Sequence, residues 1–187
     1  GHRDINVNPL VPVGKSYPLL LDEQDKAEVQ KTLQNMINRL GICFGSVNVE
    51  LVVDKFGKVW PIDVGPRAGG NMIPDLLGLI FGVDVVEMAV LTAMGETIEN
   101  KVHKGIPYYA THNLHTNKNG VYKTIKFSKE LEKRIIKKYL YKNTGDKIEY
   151  FDNAAKALGI IFMKFDNKLE MDNILNDVNS LYKVVIE

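Results

Sequence analysis

The sequence is poor in cysteine, in net charge and in long apolar stretches, and each shortage excludes a class of protein. The single cysteine, Cys43, cannot form an internal disulfide, which excludes a disulfide-stapled secreted domain and favours the reducing cytoplasm. With 24 Lys and Arg residues against 23 Asp and Glu, the net charge is +1, so bulk attraction does not recruit nucleic acid. The longest apolar stretches, such as residues 76–81, are far shorter than the ~20 residues of a membrane span. A soluble, cytoplasmic protein is therefore expected.

What is present is enough apolar material for a core. The 187 residues are 45% hydrophobic, which suits one domain, or one domain with a small appendage. Cys43 lies between Ile42 and Phe44 and is expected to be a buried, small apolar residue. Because the chain has no initiator methionine, we expect it to be a piece of a longer protein. Whether it forms a homo-oligomer is left open.

The first half of the chain predicts an amphipathic helix, a hairpin and two further helices. The prolines between residues 3 and 21 favour an extended arm. Apolar residues at helical spacing, with Asp22 before them and Gly41 after them, predict a helix over residues 22–40. Alternating residues predict a β-hairpin over residues 47–64, and a glycine-rich loop follows it. Two apolar helical stretches, 73–81 and 84–94, come next.

The second half predicts a smaller α/β unit. The polar run at residues 95–106 indicates a boundary, so we divide the chain into residues 1–100 and 101–187. The pattern beyond it predicts strands at 108–115, 121–127, 135–141, 158–165 and 184–186, with helices from Ser128 and at 169–181.

The segment of residues 48–71, NVELVVDKFGKVWPIDVGPRAGGN, carries the candidate chemistry. Period-two alternation places Asn48 and Glu50 on one face of the first strand, and Asp63 and Gly65 on one face of the second. If the strands pair around the turn at 54–57, Glu50 and Asp63 come close, and two adjacent carboxylates repel unless a cation joins them. Such oxygen ligands suit Mg²⁺. The alternative is a solvated hairpin edge.

The residues after the second acid fit the binding of phosphate. Arg67 offers a planar fork for phosphate oxygens, and Gly69 and Gly70 would let backbone N–H groups approach an anion. Taken alone, a turn with a surface arginine is the simpler interpretation. The combination with the two acids favours a site.

In this combination the chain resembles the C-terminal core of the ATP-grasp superfamily, over about residues 10–100. The resemblance implies that Glu50 and Asp63 hold Mg²⁺ bridging the phosphates of ATP. It implies that Arg67 steadies the transferring phosphoryl group and the acyl-phosphate, and it aligns Gly69, Gly70 and Asn71 with the cofactor-binding loop. The helical stretch IPDLLGLIFGVDVVEMAVLTAMGE also resembles the family.

The fold implied is α+β: the C-terminal part of an ATP-grasp fold, an antiparallel sheet with flanking helices, plus a small α/β C-terminal unit. The activity implied is an ATP- and Mg²⁺-dependent carboxylate–amine ligase, whose ATP-binding half is expected before residue 1, so this part alone should be inactive. Many members carry glutamate at Asp63 and a metal-binding asparagine at Gly65. Whether the second metal site survives Gly65 is open, as is the identity of the carboxylate and the amine.

A second interpretation is a noncatalytic α/β module that binds an acidic partner or nucleic acid through its lysine-rich second half, including Lys137 and Lys138. Interrupting acids and the near-neutral chain favour a solvated face instead. His112 and His115 do not predict a zinc site, because an odd offset points them to opposite faces of a strand. Trp60 and Pro61 are expected to pack on the outer face of the hairpin.

Overall fold

A computed structural model describes residues 1–19, 21–98 and 107–187, which form two compact units. One unit contains residues 1–18 and 105–187, and the other contains residues 19–104. In chain order the elements are β1 (His2–Arg3), β2 (Pro12–Tyr17), α1 (Glu23–Leu40), β3 (Asn48–Val53), β4 (Val59–Gly65), α2 (Ile73–Phe81), α3 (Val85–Ala93), β5 (Tyr108–Leu114), β6 (Gly120–Phe127), α4 (Lys129–Glu132), β7 (Ile135–Leu140), β8 (Lys147–Ile148), β9 (Gly159–Phe165), α5 (Lys168–Asn176) and β10 (Tyr182–Ile186).

The N-terminal segment lies in a different unit from the one that the sequence suggested. The division at residue 100 grouped residues 1–18 with the hairpin, whereas β2 pairs antiparallel with β5 of the other unit. A strand whose backbone hydrogen bonds go to a partner far along the chain leaves no local signal of its destination. The boundary at residue 100 itself lies outside the described residues.

The unit of residues 19–104 holds the predicted helices and hairpin. Helix α1 begins as predicted, since the carboxylate of Asp22 accepts a 2.8 Å hydrogen bond from the backbone N–H of Asp25. It ends at Gly41, whose φ of 65° is left-handed and suits glycine. Helices α2 and α3 contact each other, and α1 contacts β4. Helix α1 thus lies against the hairpin of β3 and β4, and α2 and α3 pack together.

Much apolar surface of this unit is exposed. Phe44 on the loop after α1 is 76% exposed, and Cys43 beside it is also exposed, so the expectation of a buried Cys43 was wrong. Across the described ranges no individual helix combines the length and apolarity needed to cross a membrane. Helices α2 and α3, which meet at a bend of 104°, pass that test of length and composition only when taken together.

The other unit contains the main core. A five-stranded antiparallel sheet runs in the order β1-β2-β5-β9-β7, and a three-stranded sheet runs in the order β10-β6-β8. Strand β9 is nearly all apolar and lies between β5 and β7, and it has buried residues on both of its faces. Gly159 begins it because a methyl group there would lie 2.4 Å from the carbonyl oxygen of Tyr139.

A polar cluster inside this unit ties the N-terminal segment to the core. The Oδ2 atom of Asp4 lies 2.9 Å from Nε2 of His115 and accepts a 2.8 Å hydrogen bond from the amide of Asn179. Nδ1 of His115 lies 2.7 Å from the carbonyl oxygen of Asn113. Burial acts to raise the pKa of Asp4, but the hydrogen bonds from His115 and from the backbone of Asn6 lower it overall. The cluster is a buried hydrogen-bonded network, and removing one partner would leave a buried polar group unsatisfied.

The two histidines lie closer together than alternation predicted. Strand β5 ends at Leu114, so His115 lies beyond the regular pleat and its ring centroid is 5.4 Å from that of His112. The expectation that they point to opposite faces was therefore wrong. His112 is buried, with Nε2 3.4 Å from the hydroxyl of Tyr182. Burial, with a further contribution from the neighbouring His115, lowers the pKa of His112 to about 3.

The buried His112 should make this unit unstable in acid. Its pKa of about 3 in the folded state lies below the 6.5 of an unperturbed histidine, so the unfolded chain binds more protons below pH 6.5. Stability present above pH 6.5 is then lost as the pH falls towards 3, by roughly 4 kcal/mol at about 1.4 kcal/mol per pKa unit. His112→Gln should flatten that slope. Urea unfolding from pH 7 to 4, followed by amide exchange in β5 and β9, would measure it. Equal slopes in both proteins would contradict this.

Candidate functional site

The hairpin of β3 and β4 brings the two predicted acids together. Glu50 pairs with Asp63 across the antiparallel ladder, and Asn48 pairs with Gly65. Directly opposite residues share a face, with Cβ atoms about 4.5–5.5 Å apart, and like charges there destabilise the pair. Glu50 is half-buried and Asp63 is exposed. The carboxylates therefore stand side by side on one face, called here the acid face, which consists of Asn48, Glu50, Asp63 and Gly65.

A β-bulge next to the acids changes which residues join them. The register shifts after Glu50, so that Val52 pairs with Trp60 while Glu50 pairs with Asp63. Because of the extra residue, Trp60 lies on the same side as the acids. Regular alternation predicts opposite faces for residues three apart, and the segment gave no signal of the bulge except Pro61, which cannot donate to the ladder.

The turn of the hairpin fixes the indole of Trp60. Its Nε1 donates a 2.9 Å hydrogen bond to Oδ2 of Asp54, and the amine of Lys58 lies 3.8 Å from the ring centroid. Oδ1 of Asp54 accepts from the backbone N–H groups of Phe56 and Lys58. The hydrogen bond from Trp60, and then that from Phe56, lower the pKa of Asp54. The hydrogen bonds accepted by Asp54 thus hold the turn together, next to the acid face.

The loop after β4 folds back over the acid face. Gly65 and Asp63 are two residues apart on one strand, so the Cβ direction of Gly65 is that of Asp63. A methyl group on Gly65 would lie 3.8 Å from Cγ and 4.0 Å from Nε of Arg67, which places the stem of Arg67 above that face. Arg67 is exposed, and its guanidinium donates a 2.9 Å hydrogen bond to the carbonyl of Ala68. The structure thus brings the arginine to the side of the acids.

The two predicted loop glycines differ in the space around them. A methyl group on Gly69 would lie 2.6 Å from Cδ1 of Ile73 and 2.7 Å from Oδ1 of Asn48, so those two side chains would have to shift. The loop backbone therefore packs directly against the acid face. A methyl group on Gly70 would meet nothing within 4 Å, so packing does not require glycine there.

The end of the loop is strained and leads into a helix. Asn71 and Met72 have φ values of 53° and 54°, a left-handed conformation that non-glycine residues seldom adopt in succession. Strain of this kind clusters at binding sites. Helix α2 begins at Ile73, so its unpaired N–H groups face the loop that holds Asn71. No residue type at position 72 predicted this conformation, because methionine does not favour the left-handed region.

A cavity of about 670 Å³ adjoins the loop within the same unit. Its lining is mostly apolar and comes from three segments: the loop at residues 41–47, residues 66–68 including Arg67, and helix α3. Its volume is within the range of small-molecule sites. No group of three or more His, Cys, Asp or Glu side chains suited to a metal occurs among the described residues. Glu50 and Asp63 are therefore a pair without a third carboxylate.

The lysine-rich part of the second half is broken up by acids. Lys137 and Lys138 are exposed on β7, and the amine of Lys138 lies 5.1 Å from the centroid of the Phe127 ring. Mixed charges give a solvated face rather than a continuous basic stripe. Basic side chains of this unit pair with carboxylates, among them Arg134 with Asp166, Lys123 with Glu187, Lys156 with Asp152 and Lys168 with Asp172.

The fold is that of part of several solved ligases. The chain superimposes on phosphoribosylglycinamide synthetase from Anaerococcus prevotii with a TM-score of 0.79 and 22% identity over 95% of its length. It matches L-amino acid ligase from Bacillus licheniformis with a TM-score of 0.80 and 17% identity over 96%. A third match, with a TM-score of 0.68 and 13% identity over 96%, is the biotin carboxylase domain of the Hydrogenobacter thermophilus 2-oxoglutarate carboxylase, solved with MgADP and bicarbonate. The chain thus has the fold of an ATP-grasp fragment, as predicted.

The chain spans less than half of these proteins, covering 46%, 45% and 40% of their lengths. No protein-family model matches it. An uncharacterized protein, y4rH of Sinorhizobium fredii (strain NBRC 101917 / NGR234), is 31% identical over 81 residues, which is 43% of this chain and 17% of that protein. This likeness shows the fold alone.

Proposed function

We propose that this chain is the metal- and phosphate-binding part of an ATP-dependent ligase that joins a carboxylate to an amine through an acyl-phosphate. One observation carries the proposal: Glu50 pairs with Asp63 across the hairpin, and the stem of Arg67 lies above the same face. Two like charges placed side by side and a cation above them suit a bound Mg²⁺ with phosphate between them.

The residues present fit magnesium. Mg²⁺ usually takes one or two protein carboxylates and completes its octahedral shell with water and substrate phosphates, and Glu50 and Asp63 provide two such ligands. When bound there, the ion would neutralise charge on the phosphates of ATP. The acids act as ligands rather than as bases, and their own mutual repulsion is relieved by the ion. The choice of Mg²⁺ is supported by the biotin carboxylase domain of similar fold, which was solved with MgADP.

The loop supplies the remaining charge neutralisation. A substrate carboxylate oxygen attacks the γ-phosphorus of ATP, ADP leaves, and the amine then attacks the acyl carbon and expels inorganic phosphate. The guanidinium of Arg67 can donate two parallel hydrogen bonds to oxygens of the transferring group. Gly69 lets the loop backbone lie against the acid face, and Asn71 and Gly70 lead into the N-terminus of α2, which favours anions. Positioning and charge account for the chemistry that the chain contributes.

The substrate is a small carboxylate in this proposal. The cavity beside Arg67 has room for one, and its apolar lining would select the rest of the molecule. The neighbours have different names, and these do not distinguish between an amino acid, a peptide and a nucleotide precursor as the substrate. Because the chain spans less than half of them, the adenine-binding part and turnover are proposed for the intact protein. The exposed thiol of Cys43 fits a cytoplasmic enzyme.

The proposal predicts a particular product pattern. The intact protein, given ATP, Mg²⁺ and hydroxylamine, should release ADP and inorganic phosphate in a manner dependent on an added carboxylate, and should form the hydroxamate of that carboxylate. A panel of amino acids, dipeptides and bicarbonate would be screened with each product quantified. Formation of AMP and pyrophosphate, or ADP release indifferent to every carboxylate and to Mg²⁺, would contradict the acyl-phosphate route.

A further inference from the structure

The acid face carries a third oxygen donor that is not an acid. Glu50 and Asp63 are the two carboxylates of this face, and the described residues contain no group of three acidic, histidine or cysteine side chains that could hold a metal. Asn48 lies two residues before Glu50 on β3 and therefore on the same face. Its amide oxygen is the same kind of hard ligand that Mg²⁺ and similar ions accept.

The position opposite Asn48 is open. Asn48 pairs directly with Gly65, which has no side chain, so the space above this pair is left to the amide of Asn48 and the stem of Arg67. On the other side, Oδ1 of Asn48 lies against the loop, 2.7 Å from where a methyl group on Gly69 would stand. Asn48 is half-buried. Asn48 therefore lies on the acid face, with its side-chain oxygen next to the loop.

We infer that the side-chain oxygen of Asn48 is the third protein ligand of the divalent cation held by Glu50 and Asp63. The inference rests on the proposed function, because it presumes the metal at the acid face. A neutral third ligand adds no repulsion to a pair of carboxylates that already repel each other. It also links the ion to the loop, since Asn48 contacts the loop at Gly69. The protein thereby sets three positions of the octahedron and leaves the others to water and phosphate.

Binding of Mn²⁺ tests this without any need for turnover. The intact protein is titrated with Mn²⁺ in the presence of ADP, with free Mn²⁺ followed by electron paramagnetic resonance and bound water by proton relaxation. Asn48→Ala should weaken Mn²⁺ at least about tenfold, the lower end of what even outer-shell partners cost. It should also add one water to the bound ion. Asn38→Ala, on exposed α1 of the same unit, should change neither quantity.

Moving the amide to the opposite strand should restore the ligand. In Asn48→Ala/Gly65→Asn the new side chain rises from the position facing residue 48. A Cβ there makes only ordinary contact with Arg67, at 3.8 Å, so the double variant should regain the affinity and lose the extra water. Asn48→Asp, which keeps an oxygen ligand, should bind at least as tightly as the unsubstituted protein.

The outcomes separate the inference from the proposed function. If Glu50→Gln and Asp63→Asn abolish Mn²⁺ binding while Asn48→Ala leaves affinity and water number unchanged, the inference fails and the metal site stands. If Asn48→Ala weakens binding without adding a water, Asn48 positions the loop and is not a ligand. If the unsubstituted protein binds no Mn²⁺, or binds it regardless of Glu50, the proposed function fails and the inference fails with it.

Discussion

Glu50→Gln in the intact enzyme should lower ligase turnover by at least about 10²-fold while leaving the fold unchanged, which is comparable to losing one strong transition-state contact. Glu50 stands opposite Asp63, and neutralising it removes half of the anionic charge that would hold Mg²⁺. Because glutamine has nearly the size and shape of glutamate, the variant should keep its fold without metal. It should also lose most of the stabilisation that Mg²⁺ and ADP give the parent.

Thermal unfolding with and without Mg²⁺ and ADP measures both effects. The parent should gain stability on adding ligand, in proportion to the logarithm of the ligand concentration over its Kd, and Glu50→Gln should gain far less. Glu87→Gln, on exposed α3 of the same unit, is the matched control and should behave as the parent. Near-normal turnover in Glu50→Gln, or an equal Mg²⁺-dependent shift, would show that the acid pair does not hold the metal.

The elements were predictable because local signals agree with the fold. Asp22 and Gly41 bound α1 as their capping chemistry indicates, and the alternation of β3 and β4 gave a hairpin whose acids do face each other. The destination of residues 1–18 was not predictable, because β2 finds its partner β5 about ninety residues along the chain. Pairing of that range depends on the whole sheet rather than on the sequence of either strand.

Within the candidate site, the sequence predicted which residues could take part but not the geometry that relates them. Alternation predicts where Glu50 and Asp63 point only while the register is regular, and the bulge after Glu50 breaks that rule for Trp60. Glycine content predicted a close approach of the loop, yet only Gly69 has close neighbours, while a methyl group on Gly70 would meet nothing within 4 Å. The neighbours of Gly69 are Asn48 and Ile73, which come near the loop only once the hairpin and α2 are in place.

Arg67→Lys should lower kcat by roughly 10²-fold with little change in the KM for ATP, and Arg67→Ala should lower it further, by about 10³-fold. Lysine keeps the charge but loses the planar fork that can bind two oxygens of a transferring phosphoryl group. If the fork acts mainly in the transition state, kcat and kcat/KM fall together. The guanidinium of Arg67 also donates a hydrogen bond to the carbonyl of Ala68, and lysine changes the length and shape of that donor, so the loop itself has to be monitored.

Two measurements separate a role in chemistry from a role in shaping the loop. Mn²⁺ affinity should be unchanged in Arg67→Lys, because the acids on the hairpin hold the ion, and Arg39→Lys at the end of α1 should leave all kinetic constants as they were. A rise in the KM for ATP with kcat retained would mean that Arg67 binds ground-state phosphate alone. If exogenous guanidinium restores turnover to Arg67→Ala, the missing group is the fork itself, since a distorted loop would not be repaired by a free cation.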